Sequence, residues 1–154
     1  MVRLEETIEV TQSLEDTFRY ISDFRTIPSW DPGITFAEKR TKGPVGEGTA
    51  FELTVSFWGN TIPMTYTITE FTPPYRVVLE GKADNMHALD TITFVKTAQG
   101  THIRYVAELT MLGVGSWFEP LLKPLLVRMG RKTAKGIRDA MAPANFSPVE
   151  LPST

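Results

Sequence analysis

Apolar and polar residues alternate with period two through much of this chain. Val2, Leu4, Ile8 and Val10 alternate with Arg3, Glu5, Thr7 and Glu9, which predicts a strand over residues 2 to 11 with one buried face, interrupted by Glu6. Ser13 then precedes Leu14, Phe18 and Ile21 at helical spacing, with Asp16 three residues on as an imperfect capping box, so a short helix follows. Pro28 disfavours helix at Ile27 and Asp31-Pro32-Gly33 signals a turn, so a second small helical turn ends near Trp30 and the chain re-enters the sheet at Ile34. Strands are predicted over about 34 to 40, through Phe51, Leu53, Val55 and Phe57, and through Met64, Tyr66 and Ile68, the last two joined by a tight turn at Trp58-Gly59-Asn60. Beyond Pro73-Pro74 come RVVLEG, Ala88 to Val95 and, after Gln99-Gly100, His102 to Met111. Hairpin-sized connections make the sheet antiparallel.

One amphipathic helix, roughly Ser116 to Met141, closes the chain. Phe118, Leu121, Leu122, Leu125, Met129, Thr133, Ile137 and Met141 form its apolar stripe, and Lys123, Arg131, Lys132, Lys135 and Arg138 its other face. Pro120 suits a first turn, whereas Pro124 should kink the helix or mark a later start. The class is therefore α+β: a curved antiparallel sheet of about seven strands against one long C-terminal helix, with two short helices after the first strand. A sheet of six or seven strands about 4.8 Å apart spans roughly 30 Å, against roughly 10 Å for a helix with its side chains. The helix cannot cover the sheet, so an apolar space is expected between the layers. Short helices, large side chains, a second subunit or a small molecule could fill it.

The 154 residues make one domain, expected over 1–142, with a loose tail over 143–154 that carries three prolines. A hydrophobic content of 42%, a charged content of 22% and a net charge of -2 leave no cationic excess to draw nucleic acid. The absence of cysteine removes disulfides, thiolate nucleophiles and cysteine metal sites, and agrees with a reducing, cytoplasmic setting. No run approaches the ~18 apolar residues of a membrane span, so stable membrane insertion is not expected. A homodimer stays open.

Strand parity points Phe51, Leu53, Val55, Met64, Tyr66, Ile68, Ile92, Phe94, Ile103 and Tyr105 inward, most of them as ordinary core. Trp30 at the turn and Leu121, Leu125 and Met129 on the helix would complete the wall of a cavity. Tyr66 and Tyr105 could orient a ligand through their hydroxyls, or bond to backbone or water. Asp90 shares the inward parity of Ile92 and Phe94, where an unpaired carboxylate costs several kcal/mol or takes up a proton. It reads either as a ligand-facing acid or general base, or as a solvated group at the rim; Glu6 poses the same question. His87 falls on the face opposite Asp90, and His102 has outward parity, so a histidine metal site is not expected. GPVGEGT lacks the ending of a phosphate loop, and Gly113-Val114-Gly115-Ser116-Trp117 lacks the last glycine of a nucleophile elbow, so neither motif stands and no cofactor is expected.

The order of elements, with YISDFRTIPSWDPGI, GPVGEGTAF, PPYRVVLEG and GTHIRYVAEL in place, resembles the helix-grip fold of the SRPBCC superfamily, START and pollen-allergen-like, over about residues 2 to 142. Its nearest branch is the one described as polyketide cyclase/dehydrase or lipid-transport-like. The resemblance implies a cavity between sheet and terminal helix that takes hydrophobic small molecules. Three functions compete: binding of a lipid-like, aromatic or polyketide-like molecule; a cyclase, aromatase or dehydratase in which Asp90 or Tyr105 moves a proton; and a protein-interaction module with a filled cavity, using the basic helix or exposed Trp58 and Trp117. Against the enzyme, no inward arginine or histidine is found.

Overall fold

The computed structural model describes residues 1–57 and 59–147, the side chains of 114–116 apart. The strands are β1 (Val2–Val10), β2 (Ile34–Lys39), β3 (Ala50–Phe57), β4 (Asn60–Thr72), β5 (Arg76–Ala83), β6 (Met86–Lys96) and β7 (Thr101–Met111). They form one seven-stranded antiparallel sheet in the order β1-β7-β6-β5-β4-β3-β2, so the first strand pairs with the last and every other neighbour is a hairpin. Helix α1 (Leu14–Ser22) and a 3-10 helix (Phe24–Ser29) follow β1, and a second 3-10 turn (Gly113–Phe118) leads into α2 (Glu119–Ala140). Register shifts between Ile34 and Phe36 and between Ile68 and Glu70 mark bulges, which add bend to the strands that carry them.

Local chemistry explains the helix ends. Ser13 caps α1 by accepting from the Asp16 amide at 3.1 Å. Helix α2 begins at Glu119 rather than at Ser116, with Pro120 in its first turn, where a missing N–H costs nothing. The Glu119 carboxylate accepts from the Met1 ammonium and from the Met111 amide, both at 2.6 Å, and ties the helix start to the end of β7. Pro124 stands inside the helix.

The layer between sheet and helix is filled at one end only. Phe18, from α1, lies 5.2 Å from Phe94 and 5.3 Å from Phe71 between ring centroids, and Phe24 packs on Phe51, Tyr66 and Trp30. These rings, with Ile21 and Ile27, make a solid plug of buried side chains. At the other end α2 lies chiefly over β1. Gly136 lets the helix close on the turn after the 3-10 helix, since a Cβ there would collide with the Trp30 carbonyl.

Phe146, in the segment expected to be loose, packs edge-to-face on Tyr20 with centroids 5.5 Å apart. Trp58 and residues 148–154 lie outside the described residues. Among the described residues, no helix is long and apolar enough to cross a membrane.

Candidate functional site

Each inward strand face runs from the plug at one end to open space at the other. In β3 the buried Phe51 and Leu53 belong to the plug, while Val55 and Phe57 face the space; in β4 it is Ile62, Met64 and Tyr66 that face it. In β6 Ile92 and Phe94 are plug, and Asp90 and Met86 line the opening. Helix α2 roofs it with Leu122, Leu126, Met129, Thr133 and Ile137. The result is a cavity of about 270 Å³, just below the usual range for small-molecule sites, which begins near roughly 300 Å³.

Of the residues that the sequence assigned to the wall, Val55, Met64, Tyr66, Asp90, Tyr105 and Met129 line the cavity. Phe51, Leu53 and Ile92 do not: their parity is inward, but α1 and the 3-10 helix cover that end of the sheet. Trp30 does not either, being 1% exposed within the plug, with its indole N–H donating to Thr26 Oγ1 at 2.9 Å. Leu121 is 76% exposed and Leu125 is only half-buried; the helix presents the next leucine pair, Leu122 and Leu126, to the cavity. The turn residue Asp31 was missed. It was read only as part of a turn signal, yet its carboxylate accepts from the Gly33 amide at 2.8 Å in an Asx turn and faces the cavity.

Polar groups gather where the cavity meets the plug. Asp90 is 5% exposed and sits inside β6, not at a solvated rim. Tyr105 pairs with Ile92 in the ladder and reaches diagonally to Asp90, donating its hydroxyl to Oδ2 at 2.5 Å. Burial pushes the Asp90 carboxyl up from 3.8 to about 7; the Tyr105 hydrogen bond opposes the rise and the Asp31 charge adds to it. Burial also raises Asp31, against the Gly33 amide and the Thr133 hydroxyl. Both tyrosine hydroxyls are pushed well above their usual range, first by burial and then by the charge on Asp90.

The Tyr66 ring rests on Gly81, where a Cβ would come within 2.6 Å of it. Tyr66 is 8% exposed, lines the cavity, and among the described residues its hydroxyl has no hydrogen-bond partner. No described buried side-chain polar atom lacks a partner when cut off from space, so the Tyr66 oxygen opens on the cavity itself. His87 and His102 are off the site, and no group of described acids and histidines is arranged to hold a metal ion.

A partly open apolar chamber between a curved sheet and a terminal helix, with a few convergent polar groups at its floor, defines a ligand-binding helix-grip fold. The chain belongs to the polyketide cyclase/dehydrase and lipid transport family, whose family model matches residues 1–142. Solved structures of similar fold include a START superfamily protein from Mycobacterium smegmatis, at 17% identity and TM-score 0.76, covering 90% of this chain and 96% of that one. The Zhui aromatase/cyclase from Streptomyces sp. R1128 is similar at 12% identity and TM-score 0.74, covering 90% and 92%. A STAR-related lipid transfer protein from Xanthomonas axonopodis is similar at 16% identity and TM-score 0.68, covering 89% and 84%. No curated protein gives a significant match. At these identities the likeness is one of fold.

Proposed function

We propose that this protein binds a hydrophobic small molecule, lipid-like, aromatic or polyketide-like, in the cavity between its sheet and α2. The observation that carries this reading is the cavity itself: about 270 Å³, walled mainly by aliphatic side chains, with one free tyrosine hydroxyl and a hydrogen-bonded acid at the floor. Apolar burial at about 25 cal/mol per Å² drives entry, and Tyr66 with the Asp90–Tyr105 pair orients the guest. Trp117 is exposed beside the start of α2, as the interaction-module reading expected, but that reading rests on a filled interior, and the interior has room.

Asp90 favours one second reading, a cyclase, aromatase or dehydratase of the same cavity. A carboxyl titrating near 7 can both accept and return a proton at neutral pH, and the Tyr66 hydroxyl is free to donate to a substrate oxygen. Native mass spectrometry of the protein as purified separates the readings. A retained small molecule that leaves unchanged supports binding; turnover of that molecule, abolished in Asp90→Asn, supports the enzyme. A protein that flies bare, and that takes up no apolar molecule offered to it, overturns both.

A further inference from the structure

We propose that the cavity selects a protonated amine carried on an apolar body and rejects carboxylates; this rests on the binding reading above. The charged side chains that line the cavity are Glu6 from β1, Asp31 from the turn after the 3-10 helix, and Asp90 from β6. Tyr66 and Tyr105 from the sheet and Thr133 from α2 are the other polar groups at its floor, Asn85 lines it from the turn between β5 and β6, and among the described residues no lysine, arginine or histidine lines it. Three elements thus send carboxyl groups into one small apolar chamber that no cationic side chain lines among the described residues.

The protein treats its other buried acid differently. Asp23, 5% exposed, is held by the Arg25 guanidinium at 2.6 Å. Asp90 is buried to the same degree and, among the described residues, has only the Tyr105 hydroxyl as a side-chain partner. A buried carboxyl without a cation is costly, and a cationic guest is the chemistry that relieves the cost. The second and independent sign of a guest is Tyr66, more than nine-tenths buried, unpartnered and opening on the same space. An ammonium carries three donors, which suits Asp90, Asp31 and the Tyr66 oxygen as acceptors, and the Tyr66 and Tyr105 rings offer cation–π faces. A carboxylate guest would meet like charge from three acids, with only neutral donors, the hydroxyls and the Asn85 amide, among the described lining residues, and would bind weakly.

The test is calorimetric titration with an isosteric series, octylamine, octan-1-ol and octanoate, at about pH 7.5, where the amine is protonated. The amine is expected to bind about ten- to a hundred-fold tighter than the alcohol, from charge-assisted hydrogen bonds, and octanoate more weakly than either. In Asp90→Asn and, separately, in Asp31→Asn, the ratio of alcohol to amine dissociation constants should fall several-fold. At about pH 6, amine binding should release close to one proton as Asp90 ionises against the ammonium, and alcohol binding close to none, read by repeating the titration in buffers of different ionisation enthalpy. Octanol binding with no preference for the amine, or octanoate binding as well as the amine, overturns the amine assignment and leaves cavity binding standing. Failure of all three ligands to bind overturns both.

Discussion

Asp90→Asn isolates the cost of a buried acid, and its effect follows from the structure. In the unfolded chain the Asp90 carboxyl loses its proton near 3.8, and in the folded protein near 7. Between those values the folded state holds one proton more, so stability falls as pH rises, by about 1.4 kcal/mol per pH unit and roughly 4 kcal/mol in all. Below about pH 4 both states are protonated and above about pH 7 both are ionised, so the loss is confined to the interval between. Asparagine has nearly the same shape and cannot titrate. Urea unfolding of the two proteins from about pH 4 to 8 should therefore show the asparagine variant gaining on the parent steadily up to about pH 7, by several kcal/mol, and then running parallel to it. Profiles parallel across the whole range would refute a buried carboxyl that titrates near neutrality.

Tyr105→Phe removes the hydrogen bond that holds Asp90 down, so the Asp90 carboxyl should titrate higher still in a carbon-detected NMR titration, and a polar ligand should lose about 1 kcal/mol of affinity. An unmoved titration and unchanged affinity would remove Tyr105 from the site. Gly136→Ala places a Cβ against the Trp30 carbonyl, where backbone cannot yield cheaply, and should cost about 1–3 kcal/mol in chemical denaturation; a neutral result would mean that α2 is not seated on that turn.

The alternation of side chains made the sheet legible almost residue by residue, because each half-buried strand repeats its face every second position. It also gave the direction of Tyr66, Tyr105 and Asp90, all of which do point inward. Parity says which face a residue takes but not how thick the layer above it is. Phe51, Leu53 and Ile92 were therefore placed on the cavity wall, although Phe18, Phe24 and their neighbours fill that end. On α2 the sequence offers two leucine pairs at four-residue spacing, Leu121 with Leu125 and Leu122 with Leu126, roughly 100° apart around the helix. Their composition is identical, so only the docking of the helix at Gly136 and the tie from Glu119 to Met111 decides between them. Asp31 stayed hidden because Asp-Pro-Gly is a sufficient turn signal by itself, and nothing local tells that the turn folds back over the sheet.

Filling the cavity from within tests the binding chamber without naming its ligand. Met129 lines it from α2 and is an adaptable side chain, so Met129→Trp puts a larger ring into space that already exists. An apolar environment-sensitive fluorophore titrated into the parent should bind saturably at one site, and the tryptophan variant should keep its fold by circular dichroism and lose that binding. Equal binding of the dye to both proteins, or binding to neither, would contradict a ligand chamber between the sheet and α2.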